Sequence, residues 1–338
     1  MARVTVIMSA YNDQKYIKEA IDSILNQSFS DFEFIIIDDA SSDDTLAEIN
    51  SYNDNRIKLI KNKENKGLTA NLNNALKIAK GEYIARMDGD DISYPERLRK
   101  QVEYLDNNRE VYLIGTSVQS FGETELFWTL PDDSEELRIR MLLRPVFAHP
   151  SFMFRRELLE EGFFYDEAYR TAQDYDFAAR VSREHKIGRV KDVLLKYRIH
   201  SKQVSNSLGS NQRNNADIIR HRLLSELGVE LTAGEENIYN DWVSERKKDT
   251  VQEYRAAYSI IDKCCNHNRD KNLYDGKKLE VVLKKMLYTW VIRSKNIGFI
   301  VQFPYICKWN RTNMGIFVGE IIRTIHEKIT YKRYKGRL

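Results

Sequence analysis

Cysteine is scarce in this sequence of 338 residues, and its three cysteines form no regular pattern. Cys264 and Cys265 are adjacent, and Cys307 stands alone. An odd count without regular spacing argues against a disulfide framework and against a zinc site. We therefore expect the chain to work in a reducing compartment, which indicates the cytoplasm.

Long apolar runs are missing as well. The most apolar late stretch, Ile297 to Phe303, is far shorter than the roughly 20 apolar residues that a membrane-spanning helix needs. The first residues lead directly into the apolar run Val4 to Met8, without the charged lead of a secretory signal, so we expect no such signal. These absences predict a protein that is soluble or peripheral to a membrane.

A large excess of one charge is also lacking, because the net charge is only +3. The total therefore indicates no polyanionic partner, and we expect no nucleic acid. The residues from 322 to 338 nevertheless carry six basic side chains against the single acid Glu327. They overlap an apolar helical stripe, which is Phe317, Val318, Ile321, Ile322, Ile325 and Ile329. Such a segment can lie on an anionic membrane, or its stripe can pack on the protein while its charges are solvated, and both alternatives stay open.

Strands and helices alternate in the first half of the chain. Apolar runs predict strands at residues 4–8, 32–37, 57–60, 83–87 and 111–118. Helical periodicity separates them, and we expect Asn12 or Asp13 to cap the first helix and Ser42 the second. This order predicts an α/β fold with a mostly parallel sheet flanked by helices, whose ligands bind beyond the carboxyl ends of the strands.

The pattern changes after about residue 205. Residues 206–215 are polar and predict a linker or loop, and amphipathic helical stretches follow from Ile218. We therefore divide the chain into a domain at 1–205 and a helical C-terminal region at 206–338.

Three carboxylates lie within four residues at the end of the fourth predicted strand. Asp88, Asp90 and Asp91 repel one another unless a cation or hydrogen-bond donors compensate their charge. Oxygen ligands of this kind suit Mg²⁺ or Mn²⁺, which usually bridge carboxylates and substrate phosphates. The alternative is a solvated acidic turn, and the position at the carboxyl end of a strand favours a site.

A second acidic pair, Asp38 and Asp39, ends the second predicted strand. A carboxylate there can accept a hydrogen bond from the N3–H of uracil, a donor that cytosine lacks. Helix capping is the alternative function of the pair, and the residues alone leave both open. The turn after the first strand, Ser9 to Asn12, contains no glycine, which argues against a dinucleotide-binding oxidoreductase. A sugar nucleotidyltransferase would need a glycine-rich basic loop near the N-terminus, and none is there.

Eight short motifs occur in a characteristic order over residues 1 to about 205. They are VTVIMSAYN at 4–12, IDDASSD at 37–43, GEYIA at 81–85, MDGDD at 87–91, PERL at 95–98, HPSFMFR at 149–155, DYDF at 174–177 and YRIH at 197–200. Each motif is weak alone, but their shared order and spacing is highly specific. The chain resembles the family 2 glycosyltransferases, which implies a Rossmann-like GT-A fold for the first domain.

The resemblance implies a hexosyltransferase that transfers a sugar with inversion from a UDP-sugar to an acceptor hydroxyl. The acceptor would be a glycan or a lipid-linked glycan in bacterial surface-polysaccharide synthesis, such as O-antigen or capsule. The work would then take place at the cytoplasmic face of the inner membrane, with residues 206–338 serving the acceptor or the membrane. The alternative is a non-catalytic module that binds nucleotide sugars.

The resemblance also implies a set of donor contacts. Tyr11 would pack near the uracil and Asp39 would recognise it, while Asp88 would hold the ribose or the sugar. Asp91 would hold the sugar hydroxyls or the water shell of the metal. The full set is Ala10, Tyr11, Asn12, Asp38, Asp39, Lys66, Gly67, Asp88, Gly89 and Asp91.

Metal ligands and a catalytic base follow from the same resemblance. Asp90 and His200 would bind a divalent cation, with Mn²⁺ preferred because imidazole suits it better than Mg²⁺, the alternative. Asp174 would be the catalytic base, although Gln173 stands where the family usually has glutamate. Asp174 could instead cap a helix. His149 and Arg155 would shape the acceptor side or the edge of the sheet.

Overall fold

The computed structural model describes residues 2–123, 125–129, 131–200, 209–246, 251–293 and 314–323. The chain divides into two compact units, residues 1–138 with 145–217 and residues 139–144 with 218–338. This division concerns compactness, so the assignment of catalysis to 1–205 and of acceptor or membrane binding to 206–338 stays a prediction.

One sheet of nine strands dominates the described part of the first unit. Its strands are β1 (Val4–Ala10), β2 (Phe32–Asp38), β3 (Ile57–Lys61), β4 (Tyr83–Asp88), β5 (Ile92–Ser93), β6 (Val111–Gly122), β7 (Phe127–Trp128), β8 (Met153–Arg155) and β9 (Lys186–Ile199). The order is β3-β2-β1-β4-β8-β6-β9-β5, and β7 pairs with β6. The parallel pairs are β1 with β2 and β4, β2 with β3, and β6 with β9. The predicted α/β fold is confirmed, and all five predicted strands are present.

Helices flank this sheet. They are α1 (Ile17–Leu25), α2 (Thr45–Asn50), α3 (Leu68–Ile78), α4 (Arg97–Asn107), α5 (Ser134–Arg140), α6 (Glu157–Glu160) and α7 (Gln173–Glu184), with a 3₁₀ turn at His149–Ser151. The apolar stripe of α1 is buried, as its periodicity predicts. Its side chains share a core with alternate residues of β4, namely Tyr83, Ala85 and Met87. The opposite face of β4 therefore presents Arg86 and Asp88, because side chains alternate along a strand.

The two capping predictions are wrong. Tyr16 precedes α1 and makes no side-chain cap, because the carbonyl oxygen of Asp13 already accepts the N–H groups of Tyr16 and Ile17. The helix α2 begins at Thr45, whose N–H donates to the carboxylate of Asp43 at 3.0 Å rather than to Ser42. In both places a neighbouring group satisfies the first N–H groups of the helix.

The described chain after residue 208 is helical. It contains α8 (Gly209–Glu226), α9 (Ala233–Val243), α10 (Val251–Lys271) and α11 (Gly276–Arg293), and residues 314–323 are also helical. The linker predicted at 206–215 is therefore wrong from residue 209 onward. The polar residues suggested a loop, but polar side chains here make hydrogen bonds within the folded protein. Asn215 donates to the carbonyl and hydroxyl oxygens of Thr171 at 3.1 and 3.0 Å.

The helix at residues 314–323 divides the predicted apolar stripe. Phe317 is buried with its ring centroid 5.6 Å from that of Tyr288, whereas Val318 and Ile322 are exposed. Ile325, Ile329, the basic residues from Lys328 onward, Cys307 and the stretch 297–303 lie outside the described residues. Among the helices that the structure does describe, none combines the length and apolar character needed to cross a bilayer.

Gly81 offers a test of the packing at the start of β1. A Cβ atom at Gly81 would lie 2.4 Å from the backbone nitrogen of Thr5 and 2.6 Å from the carbonyl carbon of Val4. We expect Gly81→Ala to lower the free energy of unfolding by about 1–3 kcal/mol, because the backbone of a central strand must shift. Urea denaturation measures this loss.

Gly234→Ala in α9 is the matched control, since a Cβ there meets nothing within 4 Å. We expect that variant to be as stable as the parent or slightly more stable. Equal stability of the Gly81 variant and the parent would contradict the packing described at β1.

Candidate active site

The acidic turn is the segment Asp88 to Asp91, which joins β4 to β5. One carboxylate oxygen from each of Asp88, Asp90 and Asp91 lies within 4.8 Å of the others. Burial raises the pKa of Asp90, and the charge of Asp88 adds to this effect. Burial and the charge of Asp90 likewise hold the pKa of Asp91 well above its usual range. These carboxylates crowd one another, and this geometry favours a bound cation.

The end of β9 is tied to the acidic turn. His200 places Nε2 at 3.0 Å from Oδ2 of Asp90. The backbone N–H of Arg198 donates to Oδ1 of Asp91 at 2.8 Å, and its Nε donates to the carbonyl oxygen of Asp90 at 2.7 Å. The structure thus brings the predicted metal ligands together, and their ligation of a metal stays a prediction. Asp91, predicted to contact the sugar, is 1% exposed and already holds the strand.

Asp13 is a fourth carboxylate beside this turn, and its place in the sequence had suggested only a helix cap. Its Oδ2 accepts the N–H of Tyr11 at 3.1 Å. The same oxygen would lie 2.6 Å from a Cβ atom at Gly89, so glycine gives this carboxylate room. Burial raises the pKa of Asp13 to about 7, with added repulsion from Asp90 and Asp88. Gly89 within an acidic motif was the available signal, because it leaves space for a group from another loop.

Asp39 lies among donors at the end of β2. Its Oδ1 accepts the N–H of Lys66 at 2.8 Å and its Oδ2 accepts the N–H of Gly67 at 2.9 Å. Burial opposes the charge of Asp39, but these donors outweigh it and hold the pKa below its usual range. The neighbouring Asp38 is also buried, and its Oδ1 has no hydrogen-bond partner among the described residues. Three of the predicted nucleotide contacts therefore meet at this point, and a free acceptor lies beside them.

The loops after β1 and β2 are joined by hydrogen bonds. Asn12, in the left-handed region at φ 56°, accepts the N–H of Ser42 at 2.8 Å and donates its own N–H to Ser41 at 3.1 Å. The carbonyl oxygen of Ala10 accepts the N–H of Asp39 at 2.9 Å. The side chain of Tyr11, which lies between Ala10 and Asn12 in the sequence, is half exposed. Ala10, Tyr11 and Asn12 thus lie beside Asp39, as the prediction requires, and Asn12 fixes the second loop.

Asp174 is the second residue of α7. The helix follows Ala172, which adopts the left-handed conformation at φ 60° and offers no side-chain cap. Burial raises the pKa of Asp174 to about 6, N–H groups at the start of the helix oppose this, and the charge of Asp88 adds to it. The raised pKa arises from surroundings that include the acidic turn. The assignment of Asp174 as the base stays a prediction.

Two side chains of α3 hold the segment that leads to Asp174. Asn73 donates to the carbonyl oxygen of Tyr165 at 2.9 Å and accepts its N–H at 3.0 Å. Thr69 donates to the carbonyl oxygen of Tyr169 at 2.9 Å. The hydroxyl of Tyr165 lies 2.9 Å from Nε2 of His149, both of them buried. In the sequence, the only signal for the contact between α3 and Tyr165 was a polar residue, Asn73, within the buried stripe of that helix.

The chain is similar to known proteins in sequence and in fold. The model of glycosyl transferase family 2 matches residues 5–163. An uncharacterized glycosyltransferase of Methanocaldococcus jannaschii is 38% identical over 205 residues, which cover 58% of this chain and 70% of that protein. The O-antigen biosynthesis glycosyltransferase WbnJ of Escherichia coli is 34% identical over 212 residues, covering 60% of this chain and 82% of that protein. The crystal structure of S. aureus TarS 1-349 in complex with UDP-GlcNAc has a TM-score of 0.56 at 20% identity, covering 84% of this chain and 91% of that one.

The fold is that of the GT-A glycosyltransferases. The chain belongs to glycosyltransferase family 2. The match to the family model includes the acidic turn and the loops after β1 and β2, and it ends before Asp174 and His200. The assignments of these two residues therefore rest on the motifs and on the geometry described above.

Proposed function

We propose that this glycosyltransferase is an inverting hexosyltransferase that uses a UDP-sugar donor. The observation that carries the proposal is the acidic turn after β4, with His200 at 3.0 Å from Asp90 and the charge of Asp88 acting on Asp174. The acidic turn and His200 lie at the carboxyl ends of β4 and β9, where ligands bind in folds of this kind. The complex of TarS with UDP-GlcNAc supports a uridine nucleotide as the donor.

The nucleotide would bind at the carboxyl ends of β1 and β2. Asp39 would accept the N3–H of uracil, and the free oxygen of the neighbouring Asp38 would accept a further donor of the nucleotide. Tyr11 would cover the base, since half of its surface is open. Lys66 and Gly67 would contact the base or the phosphates, and Asp88 with Gly89 and Asp91 would line the ribose and the sugar.

Asp90 and His200 would hold a divalent cation. One carboxylate oxygen and one imidazole nitrogen form a donor set that suits Mn²⁺ better than Mg²⁺, and Mg²⁺ is the alternative. When bound, the cation would offset the negative charge that builds on the leaving diphosphate. Asp13, Asp88 and Asp91 would add negative charge around it, which favours a cation over an empty site.

Asp174 would accept the proton of the acceptor hydroxyl as that oxygen attacks the anomeric carbon. A pKa of about 6 leaves most of this carboxylate ionised at pH 7 and makes it a stronger base than an ordinary aspartate. Attack opposite the leaving diphosphate inverts the configuration, so an α-linked donor gives a β-linked product. Positioning and charge stabilisation would lower the rest of the barrier.

The acceptor would be a glycan or a lipid-linked glycan of a surface polysaccharide at the cytoplasmic face of the inner membrane. The O-antigen enzyme of Escherichia coli among the relatives supports this class. Residues 1–205 would carry catalysis, and residues 206–338 would serve the acceptor or the membrane. Met314, Val318 and Ile322 are exposed at intervals of four on one helix, and the sequence after them is basic, as in segments that bind anionic membranes.

The base assignment predicts a selective loss in Asp174→Asn. We expect sugar transfer to fall by at least about 100-fold, because the amide cannot accept the proton, while UDP-sugar binding stays close to that of the parent. A coupled assay of UDP release on a panel of donors and acceptors measures transfer, and calorimetry measures binding. Glu184→Gln, at the exposed far end of the same helix, should transfer at the parental rate. Parental turnover in Asp174→Asn would refute the base.

The metal assignment predicts that Asp90→Ala abolishes the gain in UDP affinity that Mn²⁺ provides. The reason is that the cation loses a carboxylate and no longer links the protein to the diphosphate. Calorimetry with and without Mn²⁺ measures this gain. Asp31→Ala, an exposed acid just before β2, should keep it. A gain in Asp90→Ala as large as in the parent would place the cation elsewhere.

The membrane assignment predicts that the double variant Val318→Asp with Ile322→Asp no longer sediments with anionic vesicles. Charged groups on the exposed stripe cannot enter the interface. Ile218→Asp is the control, because Ile218 is equally exposed on α8, and we expect it to sediment like the parent. Unchanged sedimentation of the double variant, or the same sedimentation with neutral vesicles, would exclude this surface.

A further inference from the structure

Arg86 is a fully buried cation beneath the acidic turn. It lies in β4 two residues before Asp88, and its relative exposure is 0%. A buried charge is costly unless it is paired and hydrogen-bonded. Its Nη2 donates to Oδ1 of Asp88, whereas Nε and Nη1 have no partner within the described part of the chain. The guanidinium therefore pairs with one carboxylate of the site, that of Asp88.

The backbone around Arg86 is held rigidly. Its N–H donates to the carbonyl oxygen of Phe152 at 2.9 Å, and its own carbonyl oxygen accepts Nη2 of Arg97 at 2.6 Å. The ring of Phe152 lies 5.2 Å from that of His149, which in turn contacts Tyr165. The Tyr165 ring lies 4.8 Å from Phe177 of α7. The backbone of Arg86 is thus fixed beside Phe152, and aromatic contacts connect the segment around Phe152 to α7.

The charge of Arg86 acts on neighbouring titratable groups. Burial lowers the pKa of His149 well below its usual range and Arg86 lowers it further, so His149 is neutral. Burial raises the pKa of Tyr165, which is therefore a neutral phenol. Two charged groups of β4 act on Asp174 in opposite directions, because Asp88 raises its pKa and Arg86 lowers it. Arg86 is the cation that opposes protonation of Asp174.

Two other buried arginines direct their hydrogen bonds to the scaffold rather than to the acidic turn. Arg155 donates from Nε to the carbonyl oxygen of Val111 at 2.9 Å and from Nη2 to that of Leu105 at 2.7 Å. Arg97 donates to the side chain of Gln101 and to a backbone carbonyl. Both arginines join elements of the scaffold through hydrogen bonds, and the charge of Arg97 also interacts with those of Asp91 and Asp88. Arg86 instead has a single carboxylate partner, and that partner belongs to the acidic turn.

We propose that Arg86 is a positioning residue that fixes the carboxylate of Asp88 in the acidic turn before any nucleotide sugar binds. This proposal rests on the proposed function, in which Asp88 contacts the donor and Asp174 is the base. It adds a role for a side chain that touches neither substrate nor metal. Because the guanidinium is buried, it acts through a short ion pair and through its field in a medium of low dielectric.

The experiment compares Arg86→Gln and Arg86→Lys with Arg155→Gln, the matched change at a buried structural arginine. Carbon-13 NMR of labelled aspartate in the metal-free full chain follows the titration of Asp174, and Asp174→Asn assigns its signal. We expect a midpoint near pH 6 in the parent and in Arg155→Gln. Arg86→Gln should titrate at higher pH because the opposing cation is gone, and Arg86→Lys should restore the parental midpoint because the charge remains.

Calorimetry with UDP and Mn²⁺ provides the second readout. We expect Arg86→Gln to weaken UDP binding by about tenfold or more, because Asp88 loses its charged partner, while Arg155→Gln binds like the parent. Folded Arg86→Gln with a parental midpoint and parental UDP affinity would overturn the proposal.

If Arg86→Gln does not fold, the same two measurements on Arg86→Lys test the proposal. An amine keeps the charge but not the planar fork, so a parental midpoint with weakened UDP binding supports the proposal, and parental values for both overturn it. The NMR titration involves no turnover. Failure of the proposed function would therefore appear separately, as sugar transfer that survives in Asp174→Asn.

Discussion

Repulsion between carboxylates at the end of β4 is the constraint on which the site depends. Asp13, Asp88, Asp90 and Asp91 crowd one small region, and burial raises the pKa of Asp13, Asp90 and Asp91. The fold supplies two buried counter-charges, Arg86 and Arg97, and hydrogen-bond donors from the end of β9. The negative charge that these groups leave uncompensated favours binding of a divalent cation, and a cation there would attract a diphosphate.

The two ends of the proposed reaction share one support, the helix α3. Its preceding residue, Gly67, donates to Asp39 at the nucleobase side. About one and a half turns into the helix, the side chain of Asn73 makes hydrogen bonds with both the N–H and the carbonyl oxygen of Tyr165, on the segment that leads to Asp174. A shift of α3 would therefore move the proposed uracil acceptor and the proposed base together. This arrangement fixes the distance between the proposed uracil acceptor and the proposed base without a direct contact between them.

The sequence predicted the sheet and the acidic turn because both leave local signals. Buried parallel strands are continuous apolar runs, and ligands gather beyond their carboxyl ends, so Asp38, Asp39 and Asp88 were predicted at this edge of the sheet, where the structure places them. Groups that act across long sequence separations left no such signal. Asp13 was interpreted as a helix cap, and no role was predicted for Arg86, which lies inside the apolar run of β4. The strand β8, only three residues long, was not predicted between β4 and β6, and residues 209–215 looked like a linker because their partner Thr171 is distant in sequence.

The most direct measurement of the central claim is a crystal structure with UDP and Mn²⁺, with the metal located by anomalous scattering. We expect one strong anomalous peak, from a metal that contacts Asp90 and His200 on one side and the diphosphate on the other, with uracil against Asp39. Uridine diphosphate bound at this edge of the sheet with no metal beside Asp90, or a metal bound away from the acidic turn, would contradict it.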